Sequence, residues 1–268
     1  MTRAADFAYF QHDGPLALAH RGGTLYEPNA GIENSLRAFR HAAGLGYRYI
    51  ETDVHASIDG TVWAFHDTHL DRATDATGAV ATLPYAAVAE ARIGGTEPIP
   101  TLAQVLEEFP EARLNIDIKA DCALQPTLDV LRAHGALDRV CVASFSHRRL
   151  QEVRRRVGPH VATSASPPEV ARLRFGAPLT RLLRGGAVAF QIPEHHRLRG
   201  RTITLLTPGL IAAAHRAGKQ VHVWFHDWEV EDAATHHRLL DLGVDGIVSD
   251  RIEVLAQVLA ERGHPLSS

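Results

Sequence analysis

His20 and Arg21 close a short apolar run and are followed at once by Gly22 and Gly23. That order suits phosphate chemistry: arginine offers a planar fork of donors to anionic oxygens, histidine exchanges a proton near neutral pH, and glycines let a ligand approach the backbone. The plainer alternative is a capping or core histidine beside a surface arginine. Glu51 and Asp53 alternate within Tyr49 to Val54, so a strand sends both to one side. Adjacent carboxylates repel unless a cation or a proton separates them, and hard cations such as Mg²⁺ or Ca²⁺ prefer oxygen donors. An acid and base pair, or a buried network with arginines, are the competing readings.

Three further stretches carry groups of the same kind. His66-Asp67 follows Val62-Trp63-Ala64, which presents a second histidine at the end of a short strand, as a partner for His20 or as a surface side chain. Asn115, Asp117 and Lys119 share one face of a strand against Leu114, Ile116 and Ile118. Asp117 is then a third candidate metal oxygen and Lys119 a candidate phosphate contact, or the two form an ion pair for structure alone. Trp224 ends another apolar run, where an aromatic can shape an alcohol pocket or simply pack the core; His226 lies just beyond it.

These residues need strands that end at one rim. Eight short runs rich in Val, Ile and Ala fit that need: Leu16 to His20, Tyr49 to Val54, Leu114 to Ile118, Val140 to Ser144, His160 to Thr163, Ala187 to Gln191, Gln220 to Trp224 and Gly246 to Val248. Amphipathic segments separate most of them, as at Ser35 to Gly44, Leu124 to His134, Pro208 to Ala217 and Ile252 to Arg262. Repeated strand and helix predict a (β/α)₈ TIM barrel, with a doubly wound sheet as the other α/β solution. The 268 residues match the ~250 of one such domain. Its core is expected over about 16–262, with an insertion after the second strand over about 56–100. In a barrel that insertion leaves from the catalytic rim.

Composition narrows the partners. A formal charge of −3 gives no basic field for nucleic acid or an anionic membrane surface. Only Cys122 and Cys141 occur, which suits reduced thiols. Neither a signal-peptide core nor a run of ~18 apolar residues is seen, so a cytoplasmic address without stable membrane insertion is expected. Oligomeric state is not legible.

Taken in order, His20-Arg21-Gly22-Gly23, Glu33-Asn34-Ser35, Glu51-Thr52-Asp53, Asp59-Gly60, His66-Asp67, Leu70-Asp71-Arg72, Asp117-Ile118-Lys119 and Gly243-Val244-Asp245-Gly246-Ile247 resemble the glycerophosphodiester phosphodiesterase family across about Ala17 to Asp250. The resemblance implies a barrel with this insertion and hydrolysis of a small-molecule glycerophosphodiester to an alcohol and sn-glycerol 3-phosphate. It implies one divalent cation, Mg²⁺ or Ca²⁺, on Glu51, Asp53 and Asp117, with His20 and His66 as acid and base. Arg21 and Lys119 would contact phosphate, and Trp224 the substrate. Three departures stand out: Asp117 where the family usually has glutamate, Pro28 well separated from Glu33-Asn34, and Phe225-His226-Asp227 after Trp224. Two other functions compete. One is a related barrel phospholipase acting on lysolipid or sphingolipid headgroups, with Leu182, Leu183, Leu205 and Leu206 as a possible apolar entry. The other is a phosphate-binding barrel without catalysis.

Overall fold

The computed structural model describes residues 2–175, 186–198 and 200–266. Eight strands run parallel: β1 (Leu16–His20), β2 (Tyr49–Ala56), β3 (Arg113–Ile118), β4 (Val140–Ala143), β5 (Ala162–Thr163), β6 (Ala189–Pro193), β7 (Gln220–Trp224) and β8 (Gly246–Ser249). From β1 to β5 and from β6 to β8 each pairs with its neighbour in sequence, and β8 returns to β1 in the register Leu16↔Gly246. The ring closes between β5 and β6 through the Ser164↔Ala189 bridge and the hydrogen bonds Val188 N to Thr163 O and Ala165 N to Ala189 O. The expected (β/α)₈ barrel is therefore the observed fold.

Alternation along the strands builds two surfaces. Ile50, Val54, Leu114, Ile116, Val140 and Val142 face outward into one apolar cluster with the helices Leu102–Glu108, Asp121–Ala133 and His147–Val157. Phe190, Ile192, Val221, Val223 and Ile247 do the same on the other side, against Pro208–Arg216, Ala233–Leu242 and Ile252–Glu261. Leu36–Gly44 completes the outer layer beside β1, opened by Ser35, whose hydroxyl accepts from Ala38 N at 3.1 Å. Burying one face of each helix is what holds these short segments in place.

Inside the ring the composition changes with height. Leu16, Leu18, Tyr49, Cys141, Ala162, Val188 and Val248 make an apolar floor. Residues 4–10 plug it from below: Tyr9 is fully buried, Tyr49 Oη donates to Tyr9 O at 2.6 Å, and Arg113 Nη1 donates to Gln11 O at 2.7 Å. Two brief 3₁₀ turns form this plug, and nothing in the sequence pattern announces them. Above the floor, Asn115 accepts from Gln191 Nε2 at 2.9 Å, and Gln191 Nε2 lies 3.4 Å from His222 Nδ1. The charged residues sit on top of this neutral polar layer.

The insertion begins where Val62–Ala64 folds back antiparallel on the end of β2, pairing His55 with Trp63. It contains the helix Tyr85–Glu90 and the hairpin Arg92–Ile93 with Glu97–Pro98, and it has its own core of Trp63, Leu70, Val80, Val88 and Ile93. Several elements differ from the sequence reading. β6 is displaced to Ala189–Pro193, and a hairpin of His195–Leu198 and Arg201–Thr204 follows it. The polar run His195-His196-Arg197-Leu198 lacks the apolar alternation by which a half-buried strand is recognised. The helix Pro167–Phe175 was also not anticipated. β5 is shorter than expected because Gly158–His160 takes a 3₁₀ turn.

The floor gives the fold a direct test. Tyr9→Ala is expected to lower unfolding free energy by about 3 kcal/mol in denaturant titrations, the cost of emptying a buried aromatic site. A loss below about 1 kcal/mol would show that the plug is dispensable.

Candidate active site

Strand register assembles the site. His20 lies beside Glu51 across β1 and β2, and Asp53 lies beside Asp117 across β2 and β3. All point into the mouth because side chains two apart on a strand share a face. The chain then turns sharply after β1. Arg21 and Asn34 both adopt positive φ, 50° and 59°, a region that costs a bulky L-residue free energy. Arg21 N donates to Glu51 O at 3.0 Å and to Glu51 Oε2 at 3.3 Å, which holds it there. Gly22 and Gly23, at φ 91° and 96°, are required: a Cβ would fall 2.8 Å from Ala38 Cβ and 2.7 Å from Ile252 Cδ1.

Opposite charges interleave at the centre. Lys119 Nζ lies 2.8 Å from Asp53 Oδ1 and 2.7 Å from Asp117 Oδ2, and Arg21 Nε lies 3.0 Å from Asp53 Oδ2. The Arg21 contact lacks hydrogen-bond geometry, and its buried Nε has no hydrogen-bond partner among the described residues. Asn34 Nδ2 donates to Asp53 Oδ2 at 3.3 Å. Burial alone would raise the Asp53 pKa, yet Lys119 and Arg21 hold it well below the usual carboxylate range. Burial would likewise lower Lys119, but the two aspartates raise it. Glu51 behaves differently: burial and the Asp53 charge push it up to about 7, against the pull of His20, Arg21 and Lys119.

Each histidine is anchored by a carboxylate. His20 Nδ1 lies 2.9 and 3.0 Å from the Asp250 oxygens, and its Nε2 is 3.8 Å from Glu51 Oε2. Burial works against a charged imidazole, but the Asp250 charge and hydrogen bond, with Glu51, outweigh it and raise His20 to about 9. Thr24 Oγ1 also donates to Asp250, at 2.5 Å. His66 Nδ1 lies 2.6 Å from Asp67 Oδ1, and His55 Nε2 is 3.1 Å from His66 O. Arg72 ties this arm to the centre: it donates to Asp67 and, at 2.6 Å, to Glu33 Oε1, which lies 3.5 Å from Arg21 Nη1. A cleft of about 430 Å³ opens here, lined among others by His55, His66, His69, Arg72 and Lys119.

Every candidate from the sequence thus falls at one rim. His20, Arg21, Glu51, Asp53, Asp117 and Lys119 form one contact network, and His66 joins through Asp67, Arg72 and Glu33. Trp224 stands at the margin: its ring is 6.1 Å from Phe145, over which Lys119 Nζ sits at 5.7 Å, and 4.5 Å from His226. Asp250 was missed, although an acidic residue directly after a barrel strand is the available signal. Leu206 is buried and Leu205 packs against the core, so neither forms an apolar entry, while Leu182 and Leu183 lie outside the described residues.

For a cation, the chemistry of the donors fits: three carboxylates face one mouth, Asp117 Oδ1 is buried without a hydrogen-bond partner among the described residues, and Glu51 tends to keep a proton that a cation could replace. Among the described residues, however, no three His, Cys, Asp or Glu side chains already surround a cation position. Lys119 holds the two aspartates, and a divalent ion would share them with it.

A (β/α)₈ barrel whose mouth combines two anchored histidines, two cations and three carboxylates belongs to the class built for phosphoryl chemistry. The sequence model of the glycerophosphoryl diester phosphodiesterase family matches residues 20–254, and the chain belongs to that family of enzymes. It is 38% identical over 262 residues to probable glycerophosphodiester phosphodiesterase 2 of Mycobacterium tuberculosis, covering 96% of this chain and 95% of that protein. Its fold matches a glycerophosphodiester phosphodiesterase from Agrobacterium tumefaciens with a TM-score of 0.73 at 24% identity, over 92% and 99% of the two chains. It also matches an Oleispira antarctica phosphodiesterase in complex with the product sn-glycerol-3-phosphate, with a TM-score of 0.74 at 23% identity over 92% and 97%.

The Asp250 contact sets a pH dependence. A histidine raised in the folded state favours folding fully below about 6.5, and that contribution fades as pH rises through about 9. NMR titration of the chelator-treated protein is expected to find His20 near 9 and Asp250→Asn to bring it to 6.5 or below. A His20 titration indifferent to the substitution contradicts the assignment.

Proposed function

We propose that the chain hydrolyses glycerophosphodiesters to an alcohol and sn-glycerol 3-phosphate, with His20 and His66 as its proton-transfer groups and a divalent cation, Mg²⁺ or Ca²⁺, on Glu51, Asp53 and Asp117. The observation that carries this reading is the pair of histidines, each with Nδ1 held by its own carboxylate at one phosphate-attracting mouth. A carboxylate on Nδ1 fixes ring orientation and leaves Nε2 for the substrate. Binding phosphate alone requires no such pair, which argues against a barrel without catalysis. The family match and the 38% identical relative support the same substrate class.

Arg21 and Lys119 attract the phosphoryl oxygens by their charge and their N–H donors. When bound, the cation supplies Lewis acidity to those oxygens. His66 takes the proton of the attacking hydroxyl as the new P–O bond forms; attack by water gives sn-glycerol 3-phosphate directly, whereas attack by the neighbouring glycerol hydroxyl gives a cyclic phosphate that water then opens. His20, which favours its protonated form at neutral pH, gives a proton to the alkoxide as the old P–O bond breaks. Phe145, beside Lys119, and Trp224, edge-on to Phe145, offer an apolar wall to the alcohol or glycerol portion. A second reading, action on lysolipid headgroups, is favoured by one feature: Phe145 is 64% exposed beside Lys119, where an acyl chain could lie. Among the described residues no helix is long and apolar enough to cross a membrane. The free Cys122 and Cys141 suit the reducing cytoplasm as its address.

Release of sn-glycerol 3-phosphate from glycerophosphocholine, glycerophosphoethanolamine and glycerophosphoglycerol is expected with Mg²⁺ or Ca²⁺ and not with excess chelator. Full activity in chelator removes the cation from the account, and activity on lysolipid vesicles alone selects the second reading. His20→Ala and His66→Ala are each expected to reduce turnover by about two to four orders of magnitude with an unchanged fold. Wild-type rates in both variants would sink the assigned chemistry.

A further inference from the structure

Behind Asp250, away from the mouth, lies a buried carboxylate that the mechanism above does not use. Glu231 is 6% exposed and sits just before the helix Ala233–Leu242, yet its contacts reach across to the end of β8. Its Oε2 accepts from Asp250 N at 3.1 Å. Its Oε1 accepts from Ser249 Oγ, and lies 3.4 Å from Arg251 N and 3.0 Å from His236 Nε2. Ser249 and His236 are both fully buried. Among the described residues the helix Ile252–Glu261 that follows has no N-cap side-chain hydrogen bond, and Glu231 accepts from the backbone N–H of Arg251 at its entry.

We propose that Glu231 is a positioning residue for His20, acting through Asp250; the inference rests on the reading of His20 as a proton-transfer group. An aspartate side chain has few torsions, so where its carboxylate stands is set by its backbone. That backbone is fixed on one side by Asp250 N on Glu231 and on the other by Leu25 N donating to Asp250 O at 3.0 Å. Glu231 thereby determines where the Asp250 oxygens meet His20 Nδ1. Glutamine at this position would turn an amide toward donors on one side, leaving buried hydrogen-bonding groups unpaired and freeing the turn to shift. Supporting partners of this kind leave substrate affinity intact while changing the alignment of the group they support.

Glu231→Gln is expected to lower kcat by about 10- to 100-fold at unchanged KM, the size seen for loss of an outer supporting partner. In an Asp250→Asn background the same substitution is expected to cost less than about twofold, because the contact it supports is already impaired. Asp232→Ala, which removes the adjacent helix cap on Thr235 N, should lower Tm and leave kcat alone. Kinetic losses that multiply in the double variant, a change confined to KM, or wild-type kcat in Glu231→Gln would overturn the proposal. If Glu231→Gln does not fold, Ser249→Ala keeps the carboxylate and removes one donor; kcat should fall at unchanged KM, and wild-type kcat there overturns it equally. The two levels separate cleanly. Turnover surviving His20→Ala defeats the reading of His20, whereas turnover lost in His20→Ala and Asp250→Asn but kept in Glu231→Gln defeats this inference alone.

Discussion

Burying several charges side by side is the constraint that organises this molecule. Asp53 is only 1% exposed, and a carboxylate so far from water is tolerated only with close partners. Lys119 and Arg21 provide them, from the end of β3 and the turn after β1. The parallel register places Asp53 against Asp117, and the left-handed Arg21 and the two glycines bring the guanidinium back over β2. Backbone strain at Arg21 is therefore located where charge pairing can hold it. At Glu51, burial and the Asp53 charge favour the protonated form against the pull of His20, Arg21 and Lys119.

The same constraint accounts for the attachments of the barrel. The insertion has its own apolar core, but polar links couple it to the mouth: Arg72 bridges Asp67 of the insertion and Glu33 of the loop after β1. His66 is thus positioned by two segments distant in sequence. Below, the plug around Tyr9 seals the floor, so the charged layer is approached from the mouth. At the back, Glu231 ties the end of β8 to the start of the last helix but one, and Asp250, directly after β8, holds His20.

Much of this was legible in the sequence because the decisive features are local. Glu51 with Asp53, and Asp117 with Lys119, declare a shared face by alternation, and eight apolar runs separated by helical segments lead to the barrel. The buried ion-pair alternatives raised for these residues are present as contacts, with Lys119 on Asp53 and Asp117 and Arg21 on Asp53. Asp250, Glu231 and the plug were harder to read because their meaning depends on contacts across 18 to 230 positions of sequence. The hairpin after β6 has no apolar alternation to mark it, since both its strands are largely exposed. Trp224 stayed ambiguous for a related reason: it packs toward the inner core while its ring borders the rim.

The claim that Lys119 compensates Asp53 and Asp117 is the one on which the site depends, and unfolding of Lys119→Met tests it most directly. In chelator the variant should lose roughly 3 kcal/mol of stability relative to wild type, the cost of leaving buried charge uncompensated, and Mg²⁺ or Ca²⁺ should restore part of it. Equal stability of Lys119→Met and wild type in chelator would contradict the account.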